Sequence, residues 1–176
     1  MHFGWAKAAA TAAAILSVAA CGRGPASDAG DLARNAEASA AFMTRNAKEA
    51  GVVTLPSGLQ YKIVQSGPAG AVSPDRNDLV RVDYEGALID GTVFDSSFAK
   101  GQPYVTAPDQ VVPGWTEALQ KMKPGDEWML YVPPALGYGT QDTGEIPPNS
   151  VLVFRIKLLD VAPVPGGGHG VGLATG

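Results

Sequence analysis

The sequence predicts an α+β domain over residues 52–162, built from antiparallel strands and one short helix. Several segments alternate apolar and polar residues with a period of two, which is typical of strands that bury one face. Another segment spaces its apolar residues three and four apart, as an amphipathic helix does. A domain of this size can bury a full core without disulfide bonds.

The N-terminal residues are predicted to be a leader rather than part of this domain. Lys7 precedes an apolar run from Ala8 to Ala20 that suits a signal peptide and is short for a membrane span. Cys21, the only cysteine, follows the small residues of "SVAAC", which resembles the cleavage site of bacterial lipoproteins. An ordinary signal peptide with a chance cysteine is the alternative. We expect residues 1–20 to be a lipoprotein signal peptide and Cys21 to carry the lipid.

The stretch between leader and domain divides into two parts. Residues 21–30 are rich in Gly, Pro and Ser, and are predicted to form a tether. Residues 31–51 are predicted to form a helix that Asp31 can cap and Gly51 can end. Its apolar stripe is thin: Leu32, Ala36, Ala40 and Met43. Two possibilities stay open, weak packing on its own domain as a linker and pairing with a partner helix.

Four strand segments each place their large apolar residues on one face. In chain order these sets are Leu59, Tyr61 and Ile63; Val80, Val82 and Tyr84; Trp128, Leu130 and Val132; and Leu152, Phe154, Ile156 and Leu158. Such alternation indicates antiparallel strands that cover a core with one face.

The helix of the domain is predicted from "PGWTEALQKM". Trp115, Ala118, Leu119 and Met122 follow the i, i+3, i+4, i+7 spacing of one apolar stripe. The Pro-Gly pair of "KPGDE" ends it. The Gly-rich tail, residues 163–176, has no such pattern and is predicted to be disordered.

Charge and composition exclude several classes of function. Lys and Arg number 13 against 17 Asp and Glu, with no basic run, so nucleic-acid binding has no electrostatic basis. Histidine occurs only at His2 and His169, so residues 52–162 hold neither His nor Cys. This excludes Ser-His and Cys-His nucleophilic catalysis there and removes the usual zinc ligands. No phosphate-binding or dinucleotide-binding motif occurs, and we expect neither cofactor nor metal.

Carboxylates and aromatic residues remain as candidates for a site. Asp95, Asp142 and Glu145 could act as a glycosidase pair, but nothing in their spacing favours it. Six aromatic residues fall at strand ends, in loops and at the helix start: Tyr84, Phe94, Tyr104, Trp115, Tyr138 and Phe154. Core packing could explain each one, but as a set they suit an apolar pocket with a few polar groups.

Four motifs follow one another in the domain: "VRVDYEGALIDGTVFDSS", "QVVPGWTEALQKMKPGD", "PPALGYG" and "IPPNSVLVFRIKLLDV". Together they resemble the FKBP-type peptidyl-prolyl cis-trans isomerases, and most closely the bacterial Mip-like secreted group. The resemblance implies a twisted antiparallel sheet wrapped around one short helix, with a pocket between the two. It also implies an enzyme that accelerates rotation about X-Pro bonds in exported proteins.

The resemblance implies a role for each pocket residue. Phe94, Asp95 and Tyr138 are expected to be catalytic. Substrate is expected to contact Tyr84, Tyr104, Val111, Val112, Trp115, Ile146 and Phe154, with Trp115 as the floor. The expected partners are proline-containing segments of unfolded or exported proteins, and macrolide-type inhibitors of the family.

Asp95 and Glu145 leave questions open. Asp95 has no proton to remove in a rotation reaction, so it either polarises the pocket and orients Tyr84 or the twisted amide, or serves only as a turn or strand-end residue hydrogen-bonded to nearby groups. Glu145 stands where the family often has a hydrophobic residue, and Tyr104 stands where it often has Phe. The carboxylate at the rim leaves a proline-binding holdase with little turnover as the alternative function.

The leader and lipid predict a place in the bacterial envelope, facing the periplasm. Gly22 follows the predicted lipidated cysteine, which favours the outer membrane. The helix at residues 31–51 is shorter than the dimerisation arms of Mip-like relatives, which favours a monomer.

Overall fold

The computed structural model describes residues 25–166, with side chains from residue 29 onward. The predicted signal peptide, the predicted lipid site Cys21 and residues 167–176 of the predicted tail lie outside this range. The helices are α1 Pro25–Asn46, α2 Ser97–Lys100 and α3 Pro113–Leu119. The strands are β1 Val52–Thr54, β2 Gln60–Gln65, β3 Leu79–Leu88, β4 Val93–Ser96, β5 Tyr104–Thr106, β6 Glu127–Val132 and β7 Leu152–Ala162.

The strands form one antiparallel sheet, as predicted, in the order β1-β2-β6-β7-β3-β4, with β5 also paired to β3. The long strand β7 lies in the middle and pairs with β3 and β6 over most of its length. The apolar stripe of α3 is buried in the core, and Met122 lies just past the end of the helix. This arrangement confirms the α+β class and the sheet around a short helix.

The predicted buried faces hold for three of the four strand segments. The apolar sets of β3, β6 and β7 are all buried. Leu59, just before β2, and Tyr61 in β2 reach the core, and Tyr61 stacks on Trp128 with ring centroids 4.3 Å apart. Ile63 is wrongly predicted, since it is 47% exposed. It lies beyond the last residue that pairs with β1 and next to a register irregularity, where the strand leaves the core.

The N-terminal helix differs from its predicted bounds. It is described from Pro25 and ends at Asn46, so residues 25–30 of the predicted tether belong to it. The Ala-rich sequence of this segment favours a helix. Within the described range, no helix is both long enough and apolar enough to cross a membrane.

Helix α1 packs on its own domain, which was one of the two possibilities. Phe42 contacts Tyr131 with ring centroids 6.0 Å apart. Asn46 Nδ2 donates a hydrogen bond of 2.8 Å to Oε1 of the buried Gln60. The helix is therefore tied to β2 and β6 by both apolar and polar contacts.

Candidate active site

A cavity of about 850 Å³ opens between the sheet and α3. The structure brings all ten residues of the predicted pocket to its lining: Tyr84, Phe94, Asp95, Tyr104, Val111, Val112, Trp115, Tyr138, Ile146 and Phe154. They come from β3, β4, β5, α3, β7 and the loops beside them. Segments that lie far apart in sequence therefore form one surface.

Trp115 lies at the base of this cavity and is only 4% exposed. It is fixed there because α3 begins at Pro113, whose ring suits the first helical position. The rings of Tyr84 and Phe154 stand edge-on to it, with centroids 5.2 and 5.1 Å away. This geometry is favourable for aromatic pairs and leaves an apolar floor with upright walls.

The wall formed by Phe94 and Phe154 depends on a glycine. The two rings meet edge to face at 5.6 Å. Gly86 of β3 lies beneath them, paired with Asp95 on one side and Phe154 on the other. A Cβ at this position would come within 2.7 Å of both rings. The missing side chain therefore provides the space in which the rings meet.

Asp95 lies at the side of the cavity and accepts three hydrogen bonds. Its Oδ2 accepts from the Tyr84 hydroxyl, while its Oδ1 accepts from Ser96 N–H at 2.8 Å and from Lys100 Nζ at 2.5 Å. Lys100 reaches it because α2 is a single turn, begun by the Ser96 side chain, which accepts from Ala99 N–H. Both carboxylate oxygens are thus occupied, which suits orientation of Tyr84 better than proton abstraction.

These contacts shift two pKa values in opposite directions. Burial raises the pKa of the Tyr84 hydroxyl, and the hydrogen bond to Asp95 with its negative charge raises it further. Partial burial alone would raise the pKa of Asp95, but hydrogen bonds from Lys100 and Tyr84 and the charge of Lys100 outweigh it. The pKa of Asp95 therefore lies below its ordinary value of 3.8. At neutral pH the pair is a neutral phenol and a carboxylate.

Two further polar groups border the cavity. Within the described part of the chain, no acceptor bonds the backbone N–H of Val112, although its carbonyl accepts from Trp115 and Thr116 of α3. The Tyr138 side chain is 39% exposed and follows the turn after β6. Both groups can donate a hydrogen bond to a ligand carbonyl that enters the cavity.

The cavity is also lined by four residues outside the predicted set: Lys100, Gln110, Thr143 and Glu145. Glu145 had been singled out as a rim residue, and its side chain is exposed there. Lys100 was missed because a lysine in a polar stretch gives no sign of its partner. The single turn that Ser96 caps directly after Asp95, with Lys100 at its end, was the one signal that could have indicated it.

The chemistry that this site can perform is limited by what it holds. It has an apolar floor, aromatic walls, hydrogen-bond donors at its edge and a carboxylate, Asp95, that is hydrogen-bonded to a tyrosine. No described residue of the lining is a Cys, His or Ser that could attack a substrate. The site can therefore bind an apolar ring together with neighbouring carbonyls without forming a covalent bond.

Comparison with known proteins identifies the same parts of the chain. Residues 70–159 match the family model for FKBP-type peptidyl-prolyl cis-trans isomerase. Residues 12–63 match the domain found amino-terminal to such isomerases. Two models thus match, in order, the N-terminal segment and the domain that carries the pocket.

Several individual proteins are similar to this chain. Peptidyl-prolyl cis-trans isomerase Mip of Coxiella burnetii is 52% identical over 128 residues, 72% of this chain and 55% of its own. The outer membrane protein MIP of Legionella longbeachae is 50% identical over 122 residues, 69% of this chain and 52% of its own. The crystal structure of FkpA from Escherichia coli matches with a TM-score of 0.75 and 43% identity, over 80% of this chain and 65% of that one.

The chain spans about half the length of the curated relatives that it matches. The match of sequence, fold and pocket is nevertheless consistent over residues 70–159. The chain belongs to the FKBP-type peptidyl-prolyl cis-trans isomerase family.

Proposed function

We propose that this chain is a peptidyl-prolyl cis-trans isomerase that acts on exported proteins in the bacterial envelope. The observation that carries the proposal is the aromatic cavity over Trp115, with the Val112 N–H and the Tyr138 hydroxyl at its edge. Family membership supports it, as does the relative from Coxiella burnetii, which is named as such an isomerase.

The reaction needs no nucleophile, because no covalent bond is made or broken. Rotation about an X-Pro bond has a barrier of about 18–20 kcal/mol and takes tens to hundreds of seconds unaided. At the top of the barrier the amide is twisted and has lost its resonance. A dry cavity disfavours the more polar planar amide, and a cavity shaped to the twisted form binds it better.

The geometry suggests how a substrate lies in the cavity. Its proline ring rests on Trp115, between the ring of Tyr84 on one side and the wall formed by Phe94 and Phe154 on the other. The Val112 N–H and the Tyr138 hydroxyl hold the carbonyls on either side. Asp95 keeps the Tyr84 hydroxyl turned toward the wall. A 100-fold acceleration requires only about 2.7 kcal/mol, which hydrogen bonds and shape complementarity can supply.

Catalysis is tested with peptides that differ in the residue before proline. We expect the full-length chain to accelerate their isomerisation, and Tyr138→Ala to weaken this while the domain stays folded. Val105→Ala is a suitable control, because Val105 is exposed on β5 and does not line the cavity. Absence of acceleration by a folded chain would refute the isomerase and leave a proline-binding holdase.

We also propose that a lipid on Cys21 holds the chain in the envelope, facing the periplasm. The "SVAAC" sequence supports it, and the name of the Legionella longbeachae relative places that protein in the outer membrane. Growth with labelled palmitate should label the wild type but not Cys21→Ser, and the variant should leave the membrane fraction. A variant that stayed membrane-bound would contradict the anchor.

A further inference from the structure

Helix α1 contacts one side of the active-site cavity through the pocket loop, defined here as residues 137–151 between β6 and β7. This loop carries Tyr138, Glu145 and Ile146 of the cavity lining. Its far end lies against the helix, where both partners contribute hydrogen-bonding groups. The N-terminal helix therefore contacts a segment that forms the catalytic cavity.

Ser39 is the centre of this contact. Its hydroxyl donates a hydrogen bond of 2.6 Å to the carbonyl oxygen of Asn149 and accepts one of 3.2 Å from Val151 N–H. The side chain is buried, at 4% exposure. A buried backbone group that loses its hydrogen-bond partner costs free energy. One hydroxyl thus satisfies two backbone groups of the pocket loop, where the loop enters β7.

Two further bonds flank Ser39. Asn35 Nδ2 donates to the carbonyl oxygen of Pro148 at 3.0 Å, and Asn149 Nδ2 donates to the carbonyl oxygen of Leu32 at 3.2 Å. The helix and the loop therefore exchange bonds in both directions over two turns of α1. Such a reciprocal set fixes the position of the loop more firmly than one contact would.

Asn149 transmits this contact to the cavity. Its φ is 59°, the left-handed conformation, which Asn adopts more readily than most residues. In this conformation its N–H donates a bond of 2.7 Å to the carbonyl oxygen of Gly139, the residue after Tyr138. The other half of the loop closes on Ile146, whose N–H donates to Thr143 Oγ1. The path from helix to cavity is short: Ser39, Asn149, Gly139, Tyr138.

We propose that Ser39 is a positioning residue, which acts through Asn149 to hold Tyr138 and Ile146 in the arrangement that binds substrate. This rests on the isomerase function proposed above. Without the hydroxyl, the loop samples positions in which the Tyr138 hydroxyl no longer faces the bound carbonyl. Apparent affinity falls by the fraction of molecules that remain competent. The N-terminal helix is then a structural part of the active site.

The test compares three full-length variants with the wild type. Ser39→Ala removes both bonds, and we expect an about fivefold lower kcat/KM, with a raised KM and nearly unchanged kcat. Ser39→Thr restores the hydroxyl and should recover activity; Ser39 borders open grooves on both sides, which leave room for the methyl group. Thr44→Val is the control, because the Thr44 hydroxyl bonds only within the helix, to Ala40 O.

A second measurement does not depend on turnover. Hydrogen exchange of the Asn149 amide should become more than about fivefold faster in Ser39→Ala, because a roughly fivefold loss of competent molecules requires the loop to be open most of the time, although the acceptor on Gly139 is unchanged. The amide of Ile156, in the middle of β7, should exchange as in the wild type. Asn35→Ala removes only the bond to Pro148 and should give a smaller change of the same sign, which tests the idea should Ser39→Ala fail to fold.

The outcomes separate this proposal from the one on which it rests. An inactive wild-type chain overturns the isomerase function and, with it, the role of Ser39 in turnover. An active wild type whose Ser39→Ala variant matches Thr44→Val in kcat/KM overturns the positioning role. Faster exchange at Asn149 without any change in KM also overturns it, since the loop would then move without consequence for the site.

Discussion

The Tyr84 hydroxyl donates a hydrogen bond to Asp95 Oδ2 and so joins β3 to β4 in the wall of the cavity. Lys100 holds the other carboxylate oxygen from outside. The carboxylate is therefore placed between a phenol that faces the cavity and an ammonium group at its rim. This arrangement fixes the orientation of Tyr84 beside Trp115.

We predict that Asp95→Val lowers kcat/KM about tenfold, which is about 1.4 kcal/mol, because Tyr84 loses the acceptor that orients it. The domain should remain folded, since Asp95 is 36% exposed. Peptide isomerisation and thermal unfolding are measured together. Asp160→Val is the control, because Asp160 forms an exposed ion pair with Arg81 and neither residue lines the cavity. If a folded Asp95→Val variant turned over peptide as fast as the wild type, Asp95 would have only a structural role near the end of β4.

We predict that kcat/KM is nearly independent of pH between about 5 and 9 for peptides without ionisable groups. The pKa of the Asp95 carboxyl lies below 3.8, and the pKa of the Tyr84 hydroxyl lies above 10.0. Neither group therefore changes protonation in this range. No histidine lies in the domain. A bell-shaped profile would contradict this, because it would show that activity depends on groups that ionise within the range.

The same shifts predict how stability depends on pH. Asp95 contributes stability above its ordinary pKa of 3.8 and loses it as pH falls through the lower folded-state value. Tyr84 contributes below 10.0 and loses its contribution as pH rises toward the raised value. Urea unfolding should therefore show a difference between wild type and Asp95→Val that is constant near neutral pH and narrows in acid. A difference that widens in acid would contradict the direction of the Asp95 shift.

We predict that Glu145 favours peptides with a basic residue next to proline. Its carboxylate is exposed at the cavity rim, whereas that of Asp95 is neutralised by Lys100. Glu145→Gln should lower kcat/KM about two- to threefold for a Lys-containing peptide and raise it for a Glu-containing one, the range for an exposed ion pair. The effect should fade at high salt.

The control for this charge is Asp142→Asn. Asp142 lies in the same loop but does not line the cavity, and its Oδ1 accepts from Gly144 N–H, which an amide oxygen can also do. Asp142→Asn should leave unchanged the ratio of kcat/KM for the Lys-containing peptide to kcat/KM for the Glu-containing peptide. If the wild type and Glu145→Gln gave the same ratio of kcat/KM between the two peptides, the rim carboxylate would not select substrates.

We predict that Gly86→Ala destabilises the domain by about 1–3 kcal/mol and lowers activity, because the methyl group would displace Phe94 and Phe154. Gly30→Ala is the matched control, since it lies in α1 with no atom closer than 3.5 Å to the added Cβ. That change should be neutral or slightly stabilising. Urea unfolding and peptide turnover measure both variants. A fully active and stable Gly86→Ala would mean that the two rings can move apart.

The amino-acid sequence alone was enough to predict the strands with strict alternation, the apolar stripe of α3 and the family. Spacing alone predicts the burial of Val80 and Val82 in a strand and of Trp115 and Leu119 in a helix. Side-chain direction follows the period of the backbone, so the spacing tells which residues share a face. The four motifs indicated which residues surround the cavity, and the structure brings all ten together. Strand alternation and the helix stripe are local properties, so a linear pattern contains them, whereas the cavity lining was implied by the resemblance to the family.

The contacts between residues that lie far apart in the sequence could be identified only from the three-dimensional structure. Ile63 fits the alternation of its strand but is exposed, because the sheet leaves the core there. Lys100 becomes a partner of Asp95 through one helical turn, and Ser39 becomes a partner of Asn149 across 110 residues of sequence. A single hydroxyl or ammonium group carries no periodicity, and its partner depends on how separate elements pack. The cavity lining could be predicted because its residues lie in the family motifs, whereas the contacts that hold it in place could not, because they depend on how separate elements pack.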